Sequence, residues 1–289
     1  MQKILLFINT KASQAAETYS LAAEHFQKLD CEVIKGEAKS PDDYCDVVRK
    51  YRGQIDKVCL GGGDGTLQCA SEVLLETQIP LGILPLGTAN NVARSLNIPL
   101  TLPEAVEVAV NGKVTPIDIA RVNGRIFLSV VGMGLSTVVH DQVPDQHKKR
   151  FGSLAYAWQA LRMLGKTPPS FRAKISSDEH SLSVKALQIT VCNGRYYGAH
   201  IQIHPEATLQ DSLLDLSVID ARKPWRGLFK ALLPLSGTPH DEGLKLLRSR
   251  SFHVTTKPSI PIDVEGMTDL RTPAHFEVFP GALRVVVPN

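Results

Sequence analysis

The stretch Val58-Cys59-Leu60-Gly61-Gly62-Gly63-Asp64-Gly65-Thr66 sets four glycines, a carboxylate and a hydroxyl directly after an apolar run. Glycines let a backbone approach a bulky anion, and N–H groups at the start of a following helix point toward it. Asp64 repels a bare phosphate, so beside one it makes sense as a ligand or orienter of Mg2+. The plainer alternative is a glycine-rich turn that only closes a sheet. A second stretch, Leu81-Gly82-Ile83-Leu84-Pro85-Leu86-Gly87-Thr88-Ala89-Asn90-Asn91, repeats the plan. Thr88 suits a helix cap, and Thr88 and Asn90 can each donate a hydrogen bond to a phosphate. Alone it would pass for an ordinary helix start. Two such turns at the ends of neighbouring strands mark the place where open α/β sheets bind ligands.

The elements that must position these turns follow from the hydrophobic pattern. Lys3–Ile8, Cys31–Ile34, Ile55–Leu60 and Leu81–Pro85 read as strands, the first ending at Asn9-Thr10-Lys11. Between them, Ala15–Leu29 carries apolar residues on one helical face. Ser40-Pro41-Asp42-Asp43 is a helix start with its N-cap, proline and acids in order. Further helices are expected from about Leu67 to Glu76, after the turn Leu86-Gly87-Thr88 through Leu96, and over Pro103–Val110. Strands alternating with helices at this spacing predict a doubly wound, mostly parallel sheet over residues 1–118.

After Asp118 the texture changes. Asn123-Gly124 reads as the turn of a hairpin between Ile117–Val122 and Arg125–Val131. One helix is expected over Gly152–Leu164 and another over Arg226–Leu233, and most other segments alternate as strands: Arg172–Ile175, Ser183–Cys192, Leu214–Ile219, His253–Thr255, His275–Phe279 and Ala282–Val287. The expectation is an antiparallel β-rich sandwich domain over 119–289.

The 289 residues suit two packed domains, and a formal net charge of +3 argues against nucleic acid as the partner. Five cysteines without a C-x-x-C pair read as reduced thiols of a cytoplasmic protein. The apolar run behind Met1 is too short for a secretory signal, and no stretch reaches the roughly 18 apolar residues of a transmembrane helix. Membrane contact is therefore expected to be peripheral, at the inner surface. The run His147-Lys148-Lys149-Arg150 reads as a solvated loop or a contact for anionic headgroups. Pro224–Lys230, with Trp225 and Phe229, reads as packed on its own domain. The histidines form no zinc pattern.

GGGDGTL followed by PLGTAN resembles the catalytic domain shared by diacylglycerol, sphingosine and ceramide kinases and their bacterial relatives. The likeness extends over nearly the whole chain. Phe151–Tyr156, Leu209–Leu216 and the ending Phe276–Val285 resemble further family signatures, and Asn9-Thr10-Lys11 falls where the family has its first phosphate loop. The resemblance implies a two-domain enzyme with the nucleotide in the cleft between an α/β and a β-rich domain. It implies transfer of the γ-phosphoryl group of ATP, with Mg2+, to a hydroxyl of a membrane lipid such as diacylglycerol. Carried over by position, Asn9, Lys11, Gly61, Gly62, Gly63, Asp64, Gly65, Thr66, Gly87, Thr88 and Asn90 would hold the nucleotide. Asp64 and Asn91 would serve the catalytic Mg2+, and Glu265 would be the base. A second, structural Mg2+ maps to Asp211 with the carbonyls of Thr208 and Leu213.

Several positions depart from the family pattern. Asn91 replaces an aspartate, Gln68 and Cys69 replace an asparagine and a glutamate, and Glu265-Gly266-Met267 stands for Asp-Gly-Glu. Gln210 and Ser212 replace Asp and Gly in the structural-metal loop. Asp263, two residues before Glu265, is a second candidate base if strand alternation sets both on one face. These changes strip charge from the metal and base positions, so two other functions stay in view. One is a nucleotide- or lipid-binding relative with weak or no turnover; the other is an NAD kinase-like enzyme, which shares the GGDG turn.

Overall fold

The computed structural model describes residues 1–9, 15–137, 170–179, 181–197, 201–202, 204, 206–224, 226–227, 240–241 and 243–289. Lys11, the basic run 147–150, the helix expected over 152–164 and most of the expected 226–233 helix lie outside them. The chain divides into two units, Met1–Ile119 with Pro280–Asn289, and Ala120–Phe279.

The first unit alternates strand and helix: β1 (Gln2–Ile8), α1 (Ala15–Lys28), β2 (Cys31–Lys35), α2 (Pro41–Lys50), β3 (Lys57–Gly62), α3 (Asp64–Thr77), β4 (Leu81–Pro85), α4 (Asn91–Ser95) and α5 (Leu102–Asn111). Its strands pair in parallel in the order β4-β3-β1-β2. Strands β1, β3 and β4 are buried along nearly their whole length, which is why they read as continuous apolar runs without alternation, whereas the edge strand β2 is mostly half-buried. Helix α2 starts as its sequence dictates: the Ser40 hydroxyl accepts from Asp43 N, and the Asp43 carboxylate accepts from Ser40 N.

The chain continues with β5 (Lys113–Val122), β6 (Arg125–Phe127), β7 (Val130–Gly134), β8 (Phe171–Ser176), β9 (Ser181–Cys192), β10 (Tyr196–Tyr197), β11 (Ile201–Gln202), β12 (Leu214–Asp220), β13 (His240–Asp241), β14 (Leu244–Ser249), β15 (Ser251–Lys257), β16 (Pro261–Val264), β17 (Met267–Arg271) and β18 (Ala274–Val287). The second unit is antiparallel, with the ladder β14-β12-β9-β8-β15-β18 and β7 joining β9 to β16. Its core is built from the inward positions of these strands, among them Phe127, Phe171, Ile189, Phe252 and Phe276. The α/β and antiparallel β-rich architectures are those the sequence predicts.

The boundary expected at 118/119 misassigns the C-terminal strand. His275–Phe279 and Ala282–Val287 form one strand, β18, and its 280–287 part belongs to the first unit. There Val285 pairs in parallel with Leu81, Leu283 and Val285 are buried, and the Asp118 carboxylate accepts from Gly281 N. The expected hairpin also differs. Asn123 and Gly124 take positive φ at its turn, but β6 ends at Phe127 and β7 turns to new partners.

Candidate functional site

In the first unit the two glycine turns leave adjacent strands, since Gly62 of β3 pairs with Pro85 of β4. Strand β3 runs into Gly61 and Gly62, and α3 begins at Asp64 rather than near Leu67. Asp64, Gly65 and Thr66 therefore form the first helical turn, with Gly63 as N-cap. Their contacts separate the glycines by role. A Cβ on Gly61 would sit 2.4 Å from Ile8 Cδ1, and one on Gly62 would sit 2.4 Å from Thr66 Oγ1. A Cβ on Gly87 would lie 2.4 Å from Gly63 Cα, so these two glycines let the two turns touch backbone to backbone. Gly65 alone of the cluster faces open space, and its N–H has no acceptor among the described residues. A free donor at the positive end of a 14-residue helix is an anion site in the making.

The side chains are more committed than the sequence suggests. Asp64 Oδ2 and Oδ1 accept from Asn91 N and Val92 N, both at 3.0 Å, so this carboxylate caps α4 across the gap between the turns. Burial raises its pKa, and the N–H groups of Val92 and Asn91 pull it partly back. Asn90, expected to donate to a phosphate, spends its amide inside its own turn. Its Nδ2 donates to Pro85 O and Gly87 O, and its Oδ1 accepts from Gly87 N. It occupies the left-handed region, φ 49°, and takes the N-cap position expected of Thr88, which is exposed. Thr66 is buried and its hydroxyl accepts from Asn9 Nδ2 at 2.9 Å. The Asn91 side chain is buried too.

In the second unit Glu265 and Gly266 form a two-residue hairpin turn between β16 and β17, with φ of 50° and 98° and Val264 opposite Met267. Positive φ at both residues is the type I′ pattern. A glutamate in that conformation is strained, by roughly 1–2 kcal/mol. Its Oε1 accepts from Leu128 N at 3.0 Å, Ser129 N at 2.7 Å and Ser129 Oγ at 2.9 Å. Those bonds explain why β6 and β7 separate at Leu128-Ser129. Asp263 accepts from Gly266 N within the turn, so it and Glu265 do not sit as alternate strand positions.

The residues expected to hold a structural Mg2+ do not fit one. Asp211 accepts from Thr208 N and Leu213 N at 2.9 and 3.0 Å, and from Arg248 Nη2 at 2.8 Å. Arg248 Nε approaches Asp215 Oδ1 to 3.0 Å, although poorly aimed as a hydrogen bond, and Nη1 is 3.9 Å from Glu206. The guanidinium thus supplies positive charge to three carboxylates. Asp215 is 2% exposed, and burial pushes its pKa to about 7 against the lowering effect of Arg248. Ser212, where the family pattern has glycine, is held at φ 61°. Asp215, Arg248, Ser129 and the α4 backbone were not singled out from sequence; only the register Asp215–Arg248 across β12 and β14 reveals the ion pair.

Among the described residues no three His, Cys, Asp or Glu side chains gather as a metal cage, and no helix is long and apolar enough to cross a membrane. For Mg2+ at Asp64 this is still a fit, because Mg2+ is commonly held by one or two carboxylates and the substrate phosphates rather than by a protein cage.

Residues 3–122 match the diacylglycerol kinase catalytic domain, and residues 129–287 match the YegS C-terminal NAD kinase beta sandwich-like domain. The probable lipid kinase YegS of Salmonella arizonae is 31% identical over 261 residues, covering 88% of this chain and 84% of that protein. A crystal structure of a diacylglycerol kinase from Bacillus anthracis superposes with a TM-score of 0.78 at 22% identity, covering 99% and 97% of the two chains. An ATP complex of an Archaeoglobus fulgidus NAD kinase shares the fold more distantly, with a TM-score of 0.52 at 11% identity over 100% and 94%. With glycine turns, domain order and relatives in agreement, the chain belongs to the YegS-like lipid kinase family, built on the diacylglycerol kinase catalytic domain.

Proposed function

We propose that this chain transfers the γ-phosphoryl group of ATP to a hydroxyl of a membrane lipid of the diacylglycerol type. The observation that carries the reading is the open Gly65 N–H at the start of α3, beside the backbone contact of Gly63 and Gly87. Backbone donors there suit a polyphosphate, which needs positioning and charge neutralisation more than covalent chemistry. In this reading Asp64 fixes the second turn against the first and offers its carboxylate to a Mg2+ that arrives with the nucleotide. Bound Mg2+ would neutralise phosphate charge. Glu265, clamped through Oε1 by Leu128 and Ser129, takes the proton of the attacking hydroxyl. Its strain is the kind that persists when surrounding bonds over-determine a functional residue.

The test is incubation with labelled ATP, Mg2+, NAD and a mixed lipid extract, comparing the wild type with Asp64→Ala. Label in a lipid that vanishes in Asp64→Ala supports the reading. Label in NAD but not in lipid, or nucleotide binding with no product, overturns it.

A further inference from the structure

The outward face of β9, β8 and β15 carries an unusual row of charge. Arg172 on β8 lies directly opposite Lys185 on one side and Lys257 on the other, and all three are exposed. Lys174, also exposed, stands two residues along β8 between Ser183 and Thr255. The inward positions of the same strands, including Phe171, Ala173, Val184, Phe252 and Val254, are buried in the core. Over residues 171–175, 183–186 and 252–254 buried and exposed positions alternate, so the charged side chains lie outside the core.

Like charges directly opposite across a strand pair are destabilising. Several surface cations elsewhere sit beside carboxylates, as in Lys28–Glu24, Lys35–Glu37, Arg49–Glu76 and Arg125–Asp269. None of Arg172, Lys174, Lys185 and Lys257 has a carboxylate within ion-pairing reach among the described residues. With strands about 4.8 Å apart, the four charges occupy a patch about 10 Å across. His253 and His275, opposite one another on β15 and β18, are exposed on the same face, and Glu277 follows two residues along β18 opposite Ser251.

We infer that this sheet face docks the protein on a bilayer surface rich in anionic lipid. A broad array of cations without apolar wedges complements a plane of negative headgroups. Nucleic acid is disfavoured because the outward positions of these strands hold Ser, Thr, Lys, Arg and His, with no Phe, Tyr or Trp on which bases would stack. The identity of the partner rests on the lipid-kinase reading; the charged row does not.

The experiment is co-sedimentation with vesicles of phosphatidylcholine, and of phosphatidylcholine with equal parts phosphatidylglycerol. The face variant Arg172→Thr/Lys185→Thr/Lys257→Thr uses a residue suited to outward strand positions. The control Lys39→Gln/Arg52→Gln/Lys113→Gln removes equal charge from exposed sites in the first unit. Each Lys or Arg near an anionic surface is worth about fivefold in partitioning, so the face variant should lose about 100-fold. The wild type and control should bind only the anionic vesicles, and added salt should release them. Equal loss by face and control variants, no binding by the wild type, or tighter binding of the face to a DNA oligomer would overturn the inference. Lipid phosphorylation in uncharged detergent micelles is measured alongside and should match between wild type and face variant. If micelle turnover is absent throughout while the vesicle result stands, the kinase reading fails and the docking face survives.

Discussion

Arg248→Met tests whether a guanidinium stands in for a metal in the loop before β12. The change keeps an unbranched side chain of similar reach but removes the positive charge from Asp211 at 2.8 Å and Asp215 at 3.0 Å. Asp215 is buried, and breaking such a pair costs about 3–5 kcal/mol when the orphaned charge stays ionised. The sign of the pH dependence follows from the raised pKa of Asp215. A carboxyl lifted to about 7 contributes stability that is fully present below its ordinary range, near 4, and lost as pH rises through 7. Without Arg248 that carboxyl rises further, so the variant's deficit widens with pH. At pH 5 Asp215 holds its proton, and the loss should fall to about 1–2 kcal/mol, from the bond to Asp211 and local packing. Urea unfolding at pH 5 and pH 8 measures both. Asp215→Asn placed on top should recover much of the pH 8 loss. EDTA should leave the wild-type melting temperature unchanged. An equal loss at both pH values, no recovery in the double variant, or a chelator-induced drop in the wild type would refute the reasoning.

The glycine turns give a pair of opposed outcomes. Gly87→Ala drives a methyl into the Gly63 backbone and should cost about 1–3 kcal/mol in thermal or urea unfolding. Gly65→Ala meets nothing and gains helix propensity, so stability should hold or rise by about 0.5 kcal/mol while ATP affinity by calorimetry falls at least about tenfold. Glu265→Ala should lose about 2–3 kcal/mol with its three accepted bonds, and should abolish lipid labelling. Glu265→Gln keeps an acceptor oxygen, so most of the stability should return on a melting curve while labelling stays absent.

The α/β unit was legible because buried parallel strands and capped helices carry their signals locally. Ser40-Pro41 marks its helix, and Val58–Leu60 could be little but a buried strand. What escaped depends on partners distant in sequence. The segment Leu244–Ser249 has no alternation, since every residue in it is half-buried, so β14 and with it the Asp215–Arg248 pair gave no sign. Glu265-Gly266 was missed as a hairpin because glutamate is a poor choice for positive φ; the bonds to Leu128 and Ser129 override that preference. The chemistry at the turns was legible by residue type but not by role. Asn90 and Thr66 looked like phosphate ligands; the amide of one holds its own loop, and the hydroxyl of the other, itself in the first helical turn, accepts from Asn9.

The return of residues 280–287 to the first unit carries a consequence for how the chain matures. During synthesis the edge of β4 emerges about 200 residues ahead of Val285, its partner in the parallel ladder. Until then an apolar strand that is fully buried in the finished protein waits with one side unpaired. A ribosome-bound intermediate holding residues 1–119 should therefore bind holdase chaperones along β4 and let go once β18 has cleared the exit tunnel. Cutting the chain between 119 and 120 would make that exposure permanent, so the first unit should not fold as a simple N-terminal fragment.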